Sequence, residues 1–160
     1  MAPYTRTTHA TPADGTELVV FLIGMRIRKP WRVDAWAPVA AAMPRMLKEL
    51  SADPASGLLG YRLTLGEDGP LVIQYWRDHE SLYGYARAAD RRHRPAWAAF
   101  NRRARSAPGA VGIWHETFVV AASETIYGDM PASGLAKALG VRSLDPASTA
   151  AARLAGPAPA

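Results

Sequence analysis

The stretch Gly109-Ala-Val-Gly-Ile-Trp-His-Glu-Thr-Phe-Val-Val120 is the most strand-like run in the sequence. Successive side chains of an extended chain point to opposite faces, which gives two sets here. One face would carry Val111, Ile113, His115, Thr117 and Val119, and the other Trp114, Glu116, Phe118 and Val120. Both sets are largely apolar, and such a strand needs cover on both sides. We therefore expect His115 and Glu116 in dry surroundings, as a core histidine and an edge glutamate or as functional groups.

Three further strands are predicted before this one. Residues 17–27 are apolar on both faces, and Gly24 among them predicts a bulge or a close approach by a ligand or another backbone. Residues 58–66 and 70–77 read as two strands, and Asp68-Gly69 between them is typical of a hairpin turn.

Two helical segments separate these strands. Apolar residues at helical spacing predict a helix over 35–51, in which Pro44 favours a kink near residue 43. A second helix is predicted in two pieces, about 79–91 and 94–106, because Pro95 removes an N–H and clashes with the preceding turn. His93 would then lie at the joint between the pieces.

The order of elements is strand, helix, strand, strand, helix, strand, which is typical of the α+β ferredoxin-like βαββαβ fold with a four-stranded antiparallel sheet. Both helices cover one face of such a sheet. Because the first and last strands are apolar on both faces, we expect a second copy of the chain to cover the other face, with a cavity between or within the layers. This pattern therefore predicts that the protein is a homodimer.

The rest of the chain is predicted to be less regular. We interpret residues 1–16 as a flexible arm, 17–131 as the domain, and 132–160 as a largely irregular C-terminal extension that is mobile from residue 145. Within the last part, 123–127 suggests a short extended piece and 134–139 a helical turn.

Composition excludes some classes of protein. The chain has no cysteine, which excludes a thiolate nucleophile and a cysteine-ligated metal. It shows no membrane-span pattern and no apolar signal core near its start, so we predict a cytoplasmic protein without a membrane partner. The net charge of +5 owes much to an arginine cluster, at positions 87, 91, 92, 94, 102, 103 and 105. We favour a solvated helix face over a phosphate-binding surface, and predict no nucleic-acid partner.

Three stretches resemble a known group of proteins. They are Val72-Ile-Gln-Tyr-Trp-Arg-Asp78, Arg92-His-Arg-Pro-Ala-Trp97 and the final strand. With the order of elements, they resemble the dimeric α+β barrel superfamily, which includes antibiotic-biosynthesis monooxygenases and haem-degrading monooxygenases. The first and last strands look closer to a bacterial branch related to a monooxygenase of the fungal fumagillin pathway. The resemblance covers about residues 17–131 and implies a small-molecule oxidoreductase with a mostly apolar substrate in a sheet-lined cavity.

The resemblance implies one of two chemistries. Cofactor-free members deprotonate an electron-rich substrate and let it react with oxygen, which requires a base and dry walls. His115 is the candidate base, with Glu116 beside it in sequence, although alternation puts Glu116 and Trp114 on the opposite face. The candidate pocket residues are Trp76, Trp97, Trp114 and Tyr127, the last in a segment that closes over the cavity or is a plain loop.

The second chemistry uses haem. In the haem-degrading relatives a histidine of the second helix binds the iron, and His93 lies in the matching stretch, as a candidate metal ligand only in the sense of a haem iron ligand. Haem also needs an apolar slot and often cations near its propionates, for which Arg91, Arg92 and Arg94 are available. A non-catalytic haem- or ligand-binding protein of the same fold is the alternative to an enzyme.

Overall fold

The computed structural model describes residues 5–13 and 15–155. Its strands are β1 (Arg6–His9), β2 (Val19–Ile27), β3 (Leu58–Gly66), β4 (Gly69–Trp76), β5 (Val111–Val119), β6 (Tyr127–Gly128) and β7 (Val141–Ser143). Its helices are α1 (Val33–Ala52), α2 (His79–Arg87), α3 (His93–Ser106), α4 (Leu135–Leu139) and α5 (Ala150–Ala155), with a 3-10 turn at Pro54–Ser56. Within the described ranges, no helix is long and apolar enough to cross a membrane.

Strands β2 to β5 form one antiparallel sheet in the order β3-β4-β2-β5. The first and last strands of the βαββαβ unit thus pair with each other, and the β3–β4 hairpin flanks them. Gly66 pairs with Gly69 across a turn made by Glu67 and Asp68. The predicted α+β ferredoxin-like fold is confirmed.

The strand register assigns each side chain to one of two faces, because residues directly opposite each other in a pair project to the same side. We call the face under α1 and α2 the helix side, and the other the open side. Each row across the sheet is given in the strand order β3, β4, β2, β5. On the helix side, the successive rows are Leu58, Trp76, Val19, Val119; Tyr61, Gln74, Phe21, Thr117; and Leu63, Val72, Ile23, His115. On the open side the rows are Gly60, Tyr75, Val20, Phe118; Arg62, Ile73, Leu22, Glu116; and Thr64, Leu71, Gly24, Trp114.

The main core lies on the helix side at one end of the sheet. Val19, Leu50, Trp76 and Leu82 pack together, and each is at most 5% exposed. Two of these side chains come from neighbouring strands and two from α1 and α2. Burial of such large apolar groups is the main driving force that holds the helices on the sheet, at about 1.5–3 kcal/mol for each aliphatic side chain.

Helix α1 runs from Val33 to Ala52 with Pro38 and Pro44 inside it. It is therefore longer than the predicted helix over 35–51. The prolines remove two backbone donors, but the buried residues Met46, Leu47 and Leu50 follow Pro44 at helical spacing and pack the second half.

The second helical segment is divided into α2 and α3 as predicted, but the break lies at residues 88–92 and the first piece ends at Arg87. Pro95 lies in the first turn of α3, where a proline is tolerated. Asp78 caps α2, since its carboxylate accepts a hydrogen bond from the Ser81 N–H at 2.6 Å. Helix α3 begins at His93 and has no buried residue. Several arginines of the predicted cluster are exposed on these helices, at positions 87, 92, 94, 102 and 105.

The N-terminal stretch is more ordered than the predicted flexible arm. Residues 1–4 and 14 of that stretch lie outside the described part of the chain. Strand β1, however, is the central strand of a second sheet in the order β6-β1-β7. Thr7 pairs with both Tyr127 and Ser143. Strand β1 was not predicted because four residues are too few to show a pattern of alternating apolar side chains. Its partner strands are also more than a hundred residues away in the sequence.

The C-terminal extension is also more regular than predicted. It contains α4, β7 and α5, and the predicted helical turn over 134–139 corresponds to α4. Within it, α4 packs on β3 at the open side of the main sheet. A Cβ added to Gly60 would lie 3.2 Å from the Ala138 Cβ, which shows how close the two elements are. The extension thus covers one end of the open side, while residues 156–160 lie outside the described part.

A charged pair joins the entry of β2 to the start of α2. The Glu17 carboxylate accepts hydrogen bonds from the His79 N–H at 3.0 Å and from its ring Nδ1–H at 2.6 Å. This contact lowers the pKa of Glu17 and raises the pKa of His79. The pair therefore stabilises the fold above the ordinary Glu pKa of 4.5 and below the ordinary His pKa of 6.5.

We expect Glu17→Gln to lower the urea midpoint at about pH 5.5, and to have less effect at about pH 9, because the stabilisation is lost as the pH rises through the folded-state pKa of His79. Below the folded-state pKa of Glu17 the difference should disappear as well. Glu67→Gln, in the β3–β4 turn, is the matched control for loss of one carboxylate. An equal effect of Glu17→Gln at both pH values would contradict the assignment.

Candidate functional site

His115 projects from edge strand β5 to the helix side of the sheet. It lies opposite Ile23, and its ring centroid is 5.5 Å from that of Phe21. Thr117 is the next residue on the same face, opposite Phe21. The helix side of β2 and β5 therefore presents an imidazole, an aromatic ring and a hydroxyl in adjacent positions.

This part of the helix side is uncovered in the single chain. Helix α3 packs against α1 and α2. His115 is exposed, and Val119 on the same face is 59% exposed. Glu116 is exposed as well. The dry surroundings expected for His115 and Glu116 are thus not found within one chain, because β5 is an edge strand.

A buried amide lies beside this surface. Gln74 is 4% exposed in the middle of β4, opposite Phe21. Its Oε1 accepts a hydrogen bond from the Trp76 Nε1–H at 2.9 Å, and its Nε2 lies 3.9 Å from the Met43 sulfur. A sulfur is a weak acceptor, so the amide has donor capacity to spare. Gln74 was not among the predicted site residues, although a lone polar residue in an apolar strand can indicate a functional position.

Trp76 is a core residue, which differs from its predicted place in the pocket wall. Its side chain is 1% exposed, and its only polar atom is bonded to Gln74. The ring also lies 6.4 Å from that of Tyr85. Little of its surface remains for a ligand. Trp76 therefore contributes to the site only indirectly, by holding the Gln74 side chain in place.

Trp114 lies on the open side, directly over Gly24. A Cβ added at Gly24 would be 2.5 Å from the Trp114 Cε2. The close approach predicted at Gly24 is therefore made by a side chain. The buried Nε1 of Trp114 has no hydrogen-bond partner among the residues that the structure describes. Trp114 and His115 face opposite ways and cannot line one surface.

We expect Gly24→Ala to destabilise the protein by about 1–3 kcal/mol, because the indole of Trp114 must move to admit a methyl group. The change in midpoint of urea unfolding, followed by tryptophan fluorescence, measures this. Gly112→Ala is the matched control, since an added Cβ on that neighbouring β5 glycine meets nothing within 4 Å. Equal stability of the two variants would contradict the packing of Trp114 on Gly24.

His93 and Trp97 lie together in a second location, an open groove of about 470 Å³ between α2 and α3. The His93 Nδ1 is 3.0 Å from the Ala86 carbonyl oxygen. Because a carbonyl only accepts, Nδ1 carries the hydrogen and the lone pair of the neutral ring is on Nε2. Trp97 is 49% exposed and stacks on Phe100 with ring centroids 5.4 Å apart.

These features of His93 and the groove indicate whether the residues there could hold haem. A metal-binding histidine usually donates its second ring N–H to a carbonyl or carboxylate, and His93 has this arrangement. Of the three arginines considered for propionates, Arg94 lines the groove together with Arg87, whereas Arg91 binds Asp53 at 2.7 Å. Within the described ranges, no group of three or more His, Cys, Asp or Glu residues could hold a metal ion. His93 therefore fits a haem ligand, and the groove offers Trp97 as its large apolar wall.

Tyr127 lies in β6 and is not part of either location. Its hydroxyl oxygen accepts a hydrogen bond from the Ala136 N–H at 3.3 Å, near the start of α4. Asp129 accepts a hydrogen bond from the Thr5 N–H at 2.9 Å. Tyr127 joins β1 to α4, and Asp129 binds the N-terminal stretch, which favours the plain structural role that was the alternative to a lid.

The element order and the sheet topology define an α+β protein of the ferredoxin-like fold. A family model described as monooxygenase af470-like matches residues 18–135. The chain belongs to this family, and the predicted relation to a fumagillin-pathway enzyme remains a prediction. A search of curated protein sequences finds no significant match.

Three of the solved structures that are similar to this chain are the following. SnoaB from Streptomyces nogalater, a cofactor-independent oxygenase, has 18% identity and a TM-score of 0.38 over 67% of this chain and 96% of its own. A conserved protein of unknown function from Bacteroides thetaiotaomicron has 14% identity and a TM-score of 0.43 over 64% and 97%. A dimeric protein of ferredoxin-like fold from Bacteroides fragilis has 12% identity and a TM-score of 0.41 over 64% and 97%.

Proposed function

We propose that the protein is a small-molecule oxidoreductase of the monooxygenase type, which oxidises a mostly apolar, electron-rich substrate on the helix side of the sheet without a cofactor. The observation that carries the proposal is the placement of His115 beside Phe21, next to the buried Gln74, on a face that is otherwise largely apolar. Membership of the monooxygenase af470-like family supports the reaction type.

In this proposal His115 is the general base. A substrate ring would pack on Phe21, and an imidazole nitrogen would take the proton of a phenolic hydroxyl, which makes the ring carbon electron-rich. That carbon adds dioxygen, and the imidazolium returns its proton to the outer oxygen, so that a carbon-bound hydroperoxide forms. Loss of a hydrogen from that carbon together with the outer O–H then gives a carbonyl and one molecule of water. The substrate supplies the electrons, so no further reductant is needed. Gln74, with its spare donor, is proposed to hold a substrate oxygen.

A second copy of the chain is proposed to cover the open side of the sheet. Val20, Leu22 and Ile73 lie there only half-buried, and Phe118 is 49% exposed. Face-to-face packing would bury these apolar groups. A monomer in light scattering at micromolar concentration would contradict the homodimer.

The reaction is tested with ¹⁸O₂ and metal-depleted protein. Hydroxylated anthrones and naphthols are the substrates to offer, and the product is analysed by mass spectrometry. We expect one ¹⁸O atom in the product and the other in water. Oxygen uptake that appears only after haem or metal is added would overturn the cofactor-free proposal.

The second candidate function is a non-catalytic haem-binding protein, and the tautomer of His93 favours it. If haem were bound, it would supply iron-centred ligand chemistry, and His93 and Arg94 are the residues that would hold it. Protein purified from haem-supplemented cells should then show a Soret band that His93→Ala abolishes. A colourless protein without haem uptake would exclude this candidate. A cytoplasmic location and the lack of a nucleic-acid partner remain predictions.

A further inference from the structure

A cleft between the β6-β1-β7 sheet and the segment that follows β5 is lined by neither His115 nor Phe21. Its volume is about 470 Å³, within the range of small-molecule sites. The polar groups that line it include Thr8, His9, Ser123, Glu124, Arg142 and Arg153. These residues come from β1, β7, α5 and the stretch after β5, and none of them belongs to the site proposed above.

His9 is the centre of this cleft. It is 8% exposed, and each of its ring nitrogens lies against a hydroxyl group. Its Nε2 is 3.1 Å from the Ser123 Oγ, and its Nδ1 is 2.8 Å from the Thr125 Oγ1. A serine and a histidine at this distance, with the ring oriented by a third group, have the geometry of a nucleophile and its base.

The hydrogen bonds around Thr125 fix the ring. The Thr125 Oγ1 accepts the His9 backbone N–H at 3.1 Å and lies 3.1 Å from the Thr8 Oγ1. If the Thr125 hydroxyl donates to Thr8, it can accept the Nδ1–H of His9 as well. The lone pair of Nε2 then faces Ser123, and every polar atom in the chain of contacts has a partner. In this tautomer Ser123 donates its hydrogen to a basic nitrogen.

Burial and a nearby cation favour the neutral form of the ring. Burial and the Arg142 guanidinium on β7 lower the pKa of His9, and Glu124 acts in the opposite direction. Glu124 is held by an ion pair with Arg153 of α5, whose Nη1 also donates to the Ser148 carbonyl oxygen at 3.0 Å. Glu17 on the wall of the cleft is engaged by His79. A neutral imidazole is the form that can accept a proton.

We propose that Ser123 and His9 form a second reactive site, in which Ser123 is an activated nucleophile toward small carboxylic esters. Ser123 is half-buried on the cleft wall, so its hydroxyl is reachable from the cleft. Leu18, Val120 and Ala152 supply apolar surface for a short acyl group. The proposal does not depend on the oxidoreductase function, because it uses different residues.

The reaction consists of two transfers. The Ser123 oxygen attacks the ester carbonyl carbon while its hydrogen passes to the His9 Nε2, and the alcohol leaves with that proton, so that an acyl-serine remains. Water then gives a proton to the same nitrogen and its oxygen attacks the acyl carbon. The carboxylic acid departs and Ser123 regains its hydrogen. No oxidant, reductant or metal takes part.

A fluorophosphonate probe tests this on the full chain. We expect one covalent adduct by intact-mass spectrometry, mapped to Ser123 by peptide analysis. Ser123→Ala should lose the adduct, and His9→Gln should slow labelling by about 100-fold or more. Ser148→Ala is the matched control, because Ser148 also lines the cleft but bonds to Arg153. It should label at the wild-type rate.

The pH dependence of labelling in the unmodified chain is a second test that needs no variant. The rate should hold as the pH falls to the ordinary His value of 6.5, and should drop only below it, because the pKa of His9 is lowered. p-Nitrophenyl acetate should leave an acetyl group on Ser123. The absence of any adduct on Ser123, or a labelling rate that His9→Gln and acid leave unchanged, would overturn the proposal.

Discussion

Trp76→Ala is expected to lower the free energy of unfolding by about 3–5 kcal/mol, the largest stability effect of any change considered. The indole is 1% exposed and packs with Val19, Leu50 and Leu82, so its removal leaves a cavity where the strands meet α1 and α2. The change also removes the donor to the Gln74 Oε1 and leaves that amide short of a partner in the core. Urea unfolding followed by circular dichroism measures the difference.

Two variants separate the causes of this effect. Trp76→Phe keeps most of the ring but loses the Nε1–H, and should cost about 1–3 kcal/mol for the unpaired amide oxygen. Trp97→Ala removes a tryptophan that is 49% exposed, and should cost only about 1 kcal/mol for the lost stacking on Phe100. If Trp76→Ala kept its stability and lost only activity, Trp76 would be a pocket wall, as its sequence context first suggested.

His115→Gln is expected to lower kcat by about 10²–10⁴-fold, with a much smaller change in KM. Glutamine keeps polarity and approximate size beside Phe21 but cannot take a proton. Because His115 is exposed at the edge of the sheet, the stability of the variant should stay close to that of the wild type. Initial rates of oxygen uptake at several substrate concentrations separate the two kinetic constants.

Glu116→Gln is the matched control for His115→Gln. Glu116 is the neighbouring residue on β5 and is also exposed, but it lies on the open side in a row with Leu22 and Ile73. We expect near-normal kcat, even if burial of the open side in a dimer alters association. A larger loss of kcat in Glu116→Gln than in His115→Gln would put the chemistry on the other face of the sheet.

The fold was predictable from the sequence because its long elements carry strong patterns. Strand β5, the β3–β4 hairpin and the division of the second helical segment each follow from local sequence that tertiary structure did not override. The short elements were not predictable. Strands β1 and β7 have four and three residues, and they exist because each finds a partner that is distant in sequence. So few residues cannot show a periodic pattern of apolar side chains.

The candidate site was predictable in part. Alternation along β5 correctly separates His115 from Trp114 and Glu116, since the side-chain period of a strand is two. Exposure was not predictable, because the sequence does not show that β5 is an edge strand beyond the reach of α3. Trp76 illustrates the same limit: a strand pattern places an indole on a face but does not show whether a helix covers it.

The cleft around His9 could not be predicted from the sequence. His9 and Ser123 are separated by more than a hundred residues and lie in stretches without a motif. Ser123 lies on an irregular segment, yet it meets a histidine from the N-terminal strand. Their contact depends on the pairing of β1 with β6, which only the folded chain reveals.

Photo-crosslinking tests most directly the claim that the substrate binds on the helix side of the sheet. A naphthol that carries a diazirine is irradiated with the metal-depleted protein, and the labelled residues are mapped by peptide mass spectrometry. We predict labels on Phe21, His115 or Thr117, in competition with unlabelled naphthol. Labels on Phe118 or Trp114 instead, on the open side, would contradict the account.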